Sequence, residues 1–136
     1  MDEGTRFLIL SLEGETYAIS IARLIEITVS QKILQDDNLT EVFEGKFDFR
    51  GKSIPVLNIK KIFKISGAPG KTLLVIKSDK GTLGILVDAV TEILDTGQKP
   101  VPLPRGVINP SLLYYRGILR HRDTLVLLLN EDGLLS

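Results

Sequence analysis

The chain has 136 residues, and its 17 acidic and 17 basic side chains give a formal net charge of zero. This balance argues against a general binder of nucleic acids or anionic membranes, because such proteins usually carry a basic excess. The absence of cysteine excludes disulfides, thiolate metal sites and thiol nucleophiles. No apolar stretch approaches the roughly 18 residues that a membrane span needs, and the N-terminus is polar and acidic, unlike a signal peptide. We therefore expect a soluble, cytoplasmic protein.

Strands dominate the predicted secondary structure. The first covers residues 7–11 and turns through Gly14. In the second, Tyr17, Ile19 and Ile21 alternate with small or polar residues, which is the period-two pattern of a half-buried strand. Short runs rich in Val, Ile and Leu and bounded by turn residues predict further strands at residues 54–57, 73–76, 83–87 and 125–129.

Helix is scarce in the prediction, and two irregular stretches separate the strands. The best helix candidate covers residues 59–64, with Asn58 placed to cap its first turn, and residues 89–94 form a weaker candidate. The irregular stretches are residues 29–43 and residues 95–111. The second contains four prolines, which exclude regular strand pairing there.

The order of these elements repeats along the chain. Residues 17–27 return as residues 83–93, with the same alternation of apolar residues. At the same spacing, the triplet Phe49-Arg50-Gly51 returns as Tyr115-Arg116-Gly117. One half alone would bury too little surface to be stable. We therefore predict one domain over residues 1–136, built from two copies of a small β unit (roughly residues 7–65 and 73–135) that share or abut a core.

Two short motifs suggest chemistry that their context does not support. Residues 66–72 end like a phosphate-binding loop, but Ile65 stands where the first glycine should be and a predicted strand follows instead of a helix. We interpret this segment as a surface loop that joins the halves. His121 is the single histidine, so a zinc site would have to rely on carboxylates. We expect no catalytic residues, no bound metal and no cofactor.

A basic strip in the second half raises an alternative function. A tandem β-barrel module could bind nucleic acid if its arginines contacted phosphates and its tyrosines stacked on bases. The residues concerned are Arg105, Arg116, Arg120, Arg122, Tyr114 and Tyr115. The zero net charge and the scarcity of aromatic residues elsewhere favour a solvated hairpin face instead.

Arg50 is the most informative single residue. It stands between Phe49 and Gly51, just before a predicted strand. Held there, its guanidinium is suited to bind a carboxylate or carbonyl group of a partner. An internal salt bridge to Glu26 or Asp48 explains the residue equally well, and the two interpretations stay open at this point.

Five segments of the chain, taken in order, resemble the CheW-like coupling domain of bacterial and archaeal chemotaxis. They are residues 17–27, residues 50–59, residues 84–90, Gly117 and residues 128–130. Each segment alone is weakly diagnostic, but five in family-like order and spacing form a strong signal across nearly the whole chain. The resemblance implies a mostly β fold with little helix, in which two pseudo-repeated SH3-like five-stranded β-barrels pack around a shared core.

The resemblance also implies a function. CheW-like proteins are non-enzymatic adaptors that couple the cytoplasmic tip of a chemoreceptor (a methyl-accepting chemotaxis protein) to the regulatory domain of a sensor histidine kinase. That regulatory domain has the same fold, so the two can alternate in rings through which receptors control autophosphorylation. A cytoplasmic protein recruited to membrane-associated receptor arrays is therefore expected, with no nucleic-acid partner and no direct membrane insertion.

Carried over position by position, the resemblance implies a receptor-binding surface centred on Arg50 and Gly51, which form the family's Arg-Gly motif. The other implied residues are Leu24, Glu26, Ile27, Gly45, Leu73 and Leu74. The chain departs from the family pattern at two places. Asp48-Phe49 precede Arg50 where Asn-Leu is usual, and a basic turn at residues 120–122 replaces an acidic or glycine-containing one.

Overall fold

A computed structural model describes residues 6–29, 33–34, 42–97, 99–103 and 113–134. In chain order the elements are β1 (Arg6–Leu12), β2 (Glu15–Ser20), a 3-10 turn (Ile21–Arg23), β3 (Leu24–Val29), β4 (Phe43–Phe49), β5 (Lys52–Leu57), α1 (Ile59–Phe63), β6 (Thr72–Ser78), β7 (Gly81–Val87), β8 (Ala89–Asp95), β9 (Tyr115–His121) and β10 (Thr124–Leu129). This content confirms the prediction of a mostly β fold with little helix.

The strands form two five-stranded sheets of identical plan. The first sheet has the order β8-β1-β2-β10-β9, and the second has the order β3-β6-β7-β5-β4. Neighbouring strands are antiparallel except for the pairs β2–β10 and β5–β7, which are parallel. Each sheet thus takes two strands from one half of the chain and three from the other. The two halves exchange strands, a question that the sequence alone left open.

A single apolar core is shared by the two sheets. Its buried members are Leu8, Leu10, Leu12, Tyr17, Ile19, Leu57, Ile59, Leu74, Ile76, Leu83, Ile85, Val87, Leu129 and Leu134. Each sheet also encloses a smaller apolar cluster of its own, around Phe7 and Leu128 in the first sheet and around Leu73 and Leu86 in the second. This core confirms the expectation that the two halves share or abut a core.

The period-two pattern of β2 has a different cause from the one predicted. Tyr17 and Ile19 face the shared core, while Ala18 faces the cluster enclosed by the first sheet. The strand is therefore buried on both faces, and the prediction of a half-buried strand was wrong. Its alternation separates large from small apolar residues because the two buried layers differ in the space they offer.

Helix is confined to one short segment of the described residues. Asn58 caps α1 by accepting a hydrogen bond from the backbone N–H of Lys60, as the sequence predicted. The weaker helix prediction at residues 89–94 was wrong, because these residues form β8 and pair with β1. Pairing between distant segments overrides local preference there. In the part of the chain that the structure describes, no helix is long and apolar enough to cross a membrane.

The repeat is real, but its spacing changes partway along the chain. The hairpin β1–β2 recurs as β6–β7, and the hairpin β4–β5 recurs as β9–β10. The second interval is six residues longer than the first, because the connection between β8 and β9 exceeds the one between β3 and β4 by that amount. The predicted equivalence of Arg50 with Arg116 was therefore wrong. Arg50 corresponds to Arg122, and both occupy a hairpin turn with positive φ, at 54° and 50° respectively.

A buried lysine ties the two halves together. The side chain of Lys60 is only 2% exposed. Its Nζ lies 2.6 Å from Glu13 Oε1 and 2.7 Å from Asp88 Oδ1, and it donates to the carbonyl of Ala68 at 2.8 Å. These contacts join α1, the β1–β2 turn and the corner between β7 and β8. Ala68 lies in the phosphate-loop lookalike, which is irregular and leads into strand β6, as predicted.

The equivalent position in the second half carries the opposite charge. Asp132 follows β10 as Lys60 follows β5, and its carboxylate accepts from Arg23 at 3.1 Å and from the backbone N–H of Asp79 at 2.7 Å. Arg23 lies at the corner before β3, much as Asp88 lies at the corner before β8. The two halves are thus locked by ion clusters of inverted polarity.

Removal of the Lys60 ammonium is expected to destabilise the fold. Lys60→Met keeps the apolar stem but leaves Glu13 and Asp88 without their shared cation, at a cost of about 3 kcal/mol in the free energy of unfolding. Lys61→Met is the matched control, because the Lys61 side chain is half exposed and pairs with Glu44 at the surface. Urea denaturation of both variants measures the difference. Equal stability of the two variants would contradict the role assigned to Lys60.

The same cluster makes stability depend on pH at both extremes. Burial alone would lower the pKa of Lys60, but its hydrogen bonds to Asp88 and Glu13 outweigh burial and raise that pKa. Burial alone would raise the pKa of Asp88, but the backbone N–H of Glu13 and the Lys60 ammonium lower it. Lys60 therefore stabilises the fold until the pH rises through its elevated pKa. Asp88 stabilises it until the pH falls through its depressed pKa.

Asp88→Asn should make the loss of stability in acid shallower than in the unsubstituted protein. Some loss should remain, because the pKa of Asp132 is also lowered, chiefly by the backbone N–H of Asp79. Urea denaturation at a series of pH values from neutral to about pH 3 tests this expectation. Asp123→Asn, in the exposed turn between β9 and β10, is the control. An acid slope as steep in Asp88→Asn as in the control would contradict the assignment.

Candidate partner-binding surfaces

Arg50 projects from the turn between β4 and β5. Its side chain is 71% exposed, and its Nη2 lies 3.7 Å from Glu26 Oε1. The guanidinium carbon sits 4.6 Å from the centre of the Phe49 ring. The ion pair is too long for a hydrogen bond and too exposed to stabilise the fold by more than about 1 kcal/mol. Arg50 is thus held only weakly, by the Phe49 ring and by Glu26, and its guanidinium is exposed to the solvent.

The neighbouring edge strand adds an apolar stripe. β3 pairs with β6 on one side and ends the second sheet on the other. Along it Ile25, Ile27 and Val29 are exposed, while the residues between them are partly buried. Ile27 and Val29 project from one side of this edge strand, and Glu26, which pairs with Arg50, projects from the other. Together with Ile25 these four residues line the edge of the sheet, and we call this edge the first surface. An exposed row of β-branched residues beside a charge pair has the composition of a protein-binding site.

Of the remaining residues of the implied receptor site, only Gly51 is exposed. Leu73 and Leu74 are fully buried, and Leu24 packs against the shared core. Gly45 is buried in β4, where a Cβ would overlap the carbonyl oxygen of Leu34. Gly51 completes the turn beside Arg50 with φ 80°. Direct contact with a partner is open to Glu26, Ile27, Arg50 and Gly51, while the others shape the sheet that carries them.

A second surface occupies the equivalent place on the first sheet. His121 Nε2 lies 2.6 Å from Glu92 Oε1, and Arg122 Nη2 lies 3.5 Å from Glu92 Oε2. Ile93, on the same edge strand β8, is 58% exposed. Ile93 projects from the side of β8 opposite to Glu92, so these four residues line the edge of the first sheet, and we call this edge the second surface. Sequence reasoning missed it because the triplet match paired Arg50 with Arg116; a search at the longer interval that relates β4–β5 to β9–β10 would have found Arg122.

The two surfaces differ in chemistry although they share a plan. The first hairpin presents Asp48, Phe49 and Arg50, which carry no net charge and include one aromatic ring. The second presents the basic run at residues 120–122. A partner whose charges match one surface would meet unpaired or like charges on the other. Such mismatches disfavour binding and contribute to specificity as much as favourable contacts do.

Among the described residues, the basic strip considered as an alternative nucleic-acid site is not assembled. Tyr114 and Tyr115 pack against Phe63, with ring centres 5.6 and 5.4 Å apart, so neither ring is free to stack on a base. Burial raises the pKa of Tyr115. Arg116 turns to the buried Glu131, and Arg105 lies outside the described residues. Among the described side chains, no three His, Asp or Glu residues are grouped so that they could hold a metal ion.

Comparison with known sequences identifies the family. The family model for the CheW-like domain matches residues 6–136. The chemotaxis protein CheW of Klebsiella aerogenes is 25% identical over 137 residues, which cover 98% of this chain and 82% of the relative. The chemotaxis protein CheW of Treponema pallidum is 24% identical over 143 residues, which cover 99% of this chain and 84% of the relative.

Comparison with solved structures agrees on the fold. The crystal structure of the scaffolding protein TtCheW from Thermoanaerobacter tengcongensis matches with a TM-score of 0.86 at 24% identity, over 98% of this chain and 88% of that one. This likeness covers both sheets described above. Together with the family match over residues 6–136, it leads to one conclusion: the chain belongs to the CheW-like domain family.

Proposed function

We propose that this protein is a non-enzymatic chemotaxis adaptor that couples chemoreceptor tips to a sensor histidine kinase. The observation that carries the proposal is the pair of exposed, charge-marked surfaces, one on each sheet of a CheW-like domain. Relatives named as chemotaxis proteins and a structural neighbour named as a scaffolding protein support it. We expect the protein to act in the cytoplasm at receptor arrays and to need no cofactor.

The first surface is the better candidate for the receptor tip. A chemoreceptor tip is a helical hairpin, and such a ligand is held by apolar side chains at helical spacing. Ile25, Ile27 and Val29 offer the apolar stripe, and the exposed guanidinium of Arg50 can pair with a carboxylate at its rim. The second surface then remains available for the kinase regulatory domain, so one molecule could hold both partners at once.

Arg50→Glu should greatly weaken receptor binding and spare the fold. The loss of the exposed pair with Glu26 should change the free energy of unfolding by less than about 1 kcal/mol. The reversed charge should weaken binding to a soluble coiled-coil fragment carrying the receptor tip by about tenfold or more. Calorimetric titration measures the affinity, and urea denaturation measures the stability.

Arg122→Glu is the matched control for this substitution. It reverses the same charge at the equivalent turn of the other sheet, so it should leave receptor affinity unchanged. An equal loss of receptor affinity in both variants would show that the net charge of the protein, and not the first surface, determines binding. Unfolding of Arg50→Glu would show instead that the internal pair with Glu26 is the main role of Arg50.

Titration against the regulatory domain of a histidine kinase from the same organism should give saturable binding. Arg122→Glu and Ile93→Lys should weaken this binding, because both change the second surface. A single-stranded oligonucleotide should show no binding at low salt, where any contact with phosphates would be strongest. Binding to the oligonucleotide, with none to the kinase domain, would replace the adaptor by the nucleic-acid function.

A further inference from the structure

A pocket opens in the first sheet, apart from both surfaces described above. Its volume is about 280 Å³, near the lower limit for sites that bind small molecules. The lining residues are Phe7, Ser20, Lys99, Pro100, Pro102, Arg116 and Leu128. Phe7 and Leu128 are buried and form an apolar floor, whereas Lys99 and Arg116 are exposed. The pocket therefore combines an apolar interior with two cations.

A buried polar network fixes one of these cations. Arg116 donates a hydrogen bond to the hydroxyl of Ser20, and its Nη2 lies 3.5 Å from Glu131 Oε1. Glu131 is 1% exposed, and its other oxygen accepts from the backbone N–H of Ser20 at 3.2 Å. Burial raises the pKa of Glu131 despite the opposing effect of Arg116. The network is therefore costly to bury, yet it holds a guanidinium at the pocket.

The second sheet and the helix that follows its strand β5 show that the fold does not require this network. By the repeat, Leu86 stands where Ser20 does, Ile59 where Glu131 does, and Glu44 where Arg116 does. Leu86 and Ile59 are buried in apolar clusters. Around the second sheet the same architecture thus has apolar side chains in place of Ser20 and Glu131 and the partly buried Glu44 in place of Arg116, whereas the first sheet carries the buried charge of Glu131. Because the apolar solution is available, the polar one calls for a reason beyond folding.

We propose that the pocket between Arg116 and Lys99 binds a small carboxylate with an apolar body. The carboxylate would accept hydrogen bonds from the guanidinium of Arg116 and the ammonium of Lys99. Because these two cations face a single carboxylate of the protein, that of Glu131, a second negative charge would be balanced. The apolar body would lie against Phe7, Leu128 and the ring of Pro100. Through such a site, a small molecule would act directly on the protein. The inference does not rest on the proposed adaptor function.

Titration with benzoate, followed by two-dimensional amide NMR of the full chain, tests this proposal. Benzoate should produce saturable shifts centred on Ser20, Arg116 and Leu128. Benzamide, which has the same shape without the charge, should produce none. Arg116→Gln should weaken benzoate binding by about tenfold or more. Arg122→Gln, an arginine of the same sheet bound to Glu92 outside the pocket, should leave it unchanged.

A second variant keeps the test decisive if Arg116→Gln leaves Glu131 unpaired and unfolds the protein. Arg116→Gln combined with Glu131→Gln removes both charges and retains groups that can hydrogen-bond, so the fold should survive while benzoate binding is lost. The proposal is overturned if benzoate causes no saturable shifts. It is also overturned if benzamide binds equally well, or if the folded Arg116 variant binds like Arg122→Gln.

Discussion

The shared apolar core is the constraint on which the rest of this structure depends. Residues from both sheets meet there, and each half of the chain contributes strands to both sheets. Because neither half could bury enough apolar surface alone, separation of the halves would expose the core and break both sheets together. The two halves therefore form a single cooperative unit, and the two sheets should keep a fixed geometry relative to each other.

This rigidity matters for an adaptor. The first surface lies along β3 and the second along β8, and each of these strands is the outermost one of its sheet. In each sheet the edge strand and the hairpin that carries the arginine stand at opposite ends of the strand order, and an ion pair joins them, Arg50–Glu26 in one sheet and Arg122–Glu92 in the other. A molecule with two such edges can contact two partners without any change in its own shape.

The sequence predicted what depends on local pattern and missed what depends on distant pairing. Alternating apolar residues, turn glycines and the Asn58 cap predicted most strands and the single helix of the described residues, because these signals act within a few residues. The strand β8 was mistaken for a weak helix, since its pairing with β1 joins distant parts of the chain, such as Leu8 and Ile93. The burial of Leu73 and Leu74 likewise follows from two apolar layers that no local pattern distinguishes. The exchange of strands and the change in repeat spacing lie beyond any local signal.

The inverted ion clusters also govern which halves can assemble. Suppose that a first half packed against the first half of another molecule instead of its own second half. By the 66-residue interval Ala22, with Arg23 next to it, would then stand in place of Asp88, so Lys60 would keep Glu13 but lose its second carboxylate and gain a cation nearby. In a pair of second halves Ala89, with Asp88 next to it, would stand in place of Arg23, so Asp132 would lose its cation and gain an anion nearby. Like charges in such places are strongly unfavourable. If the chain descends from a smaller unit that paired with copies of itself, its two halves would thus have lost the ability to pair with copies of themselves. Each half would now require the other half of the same polypeptide.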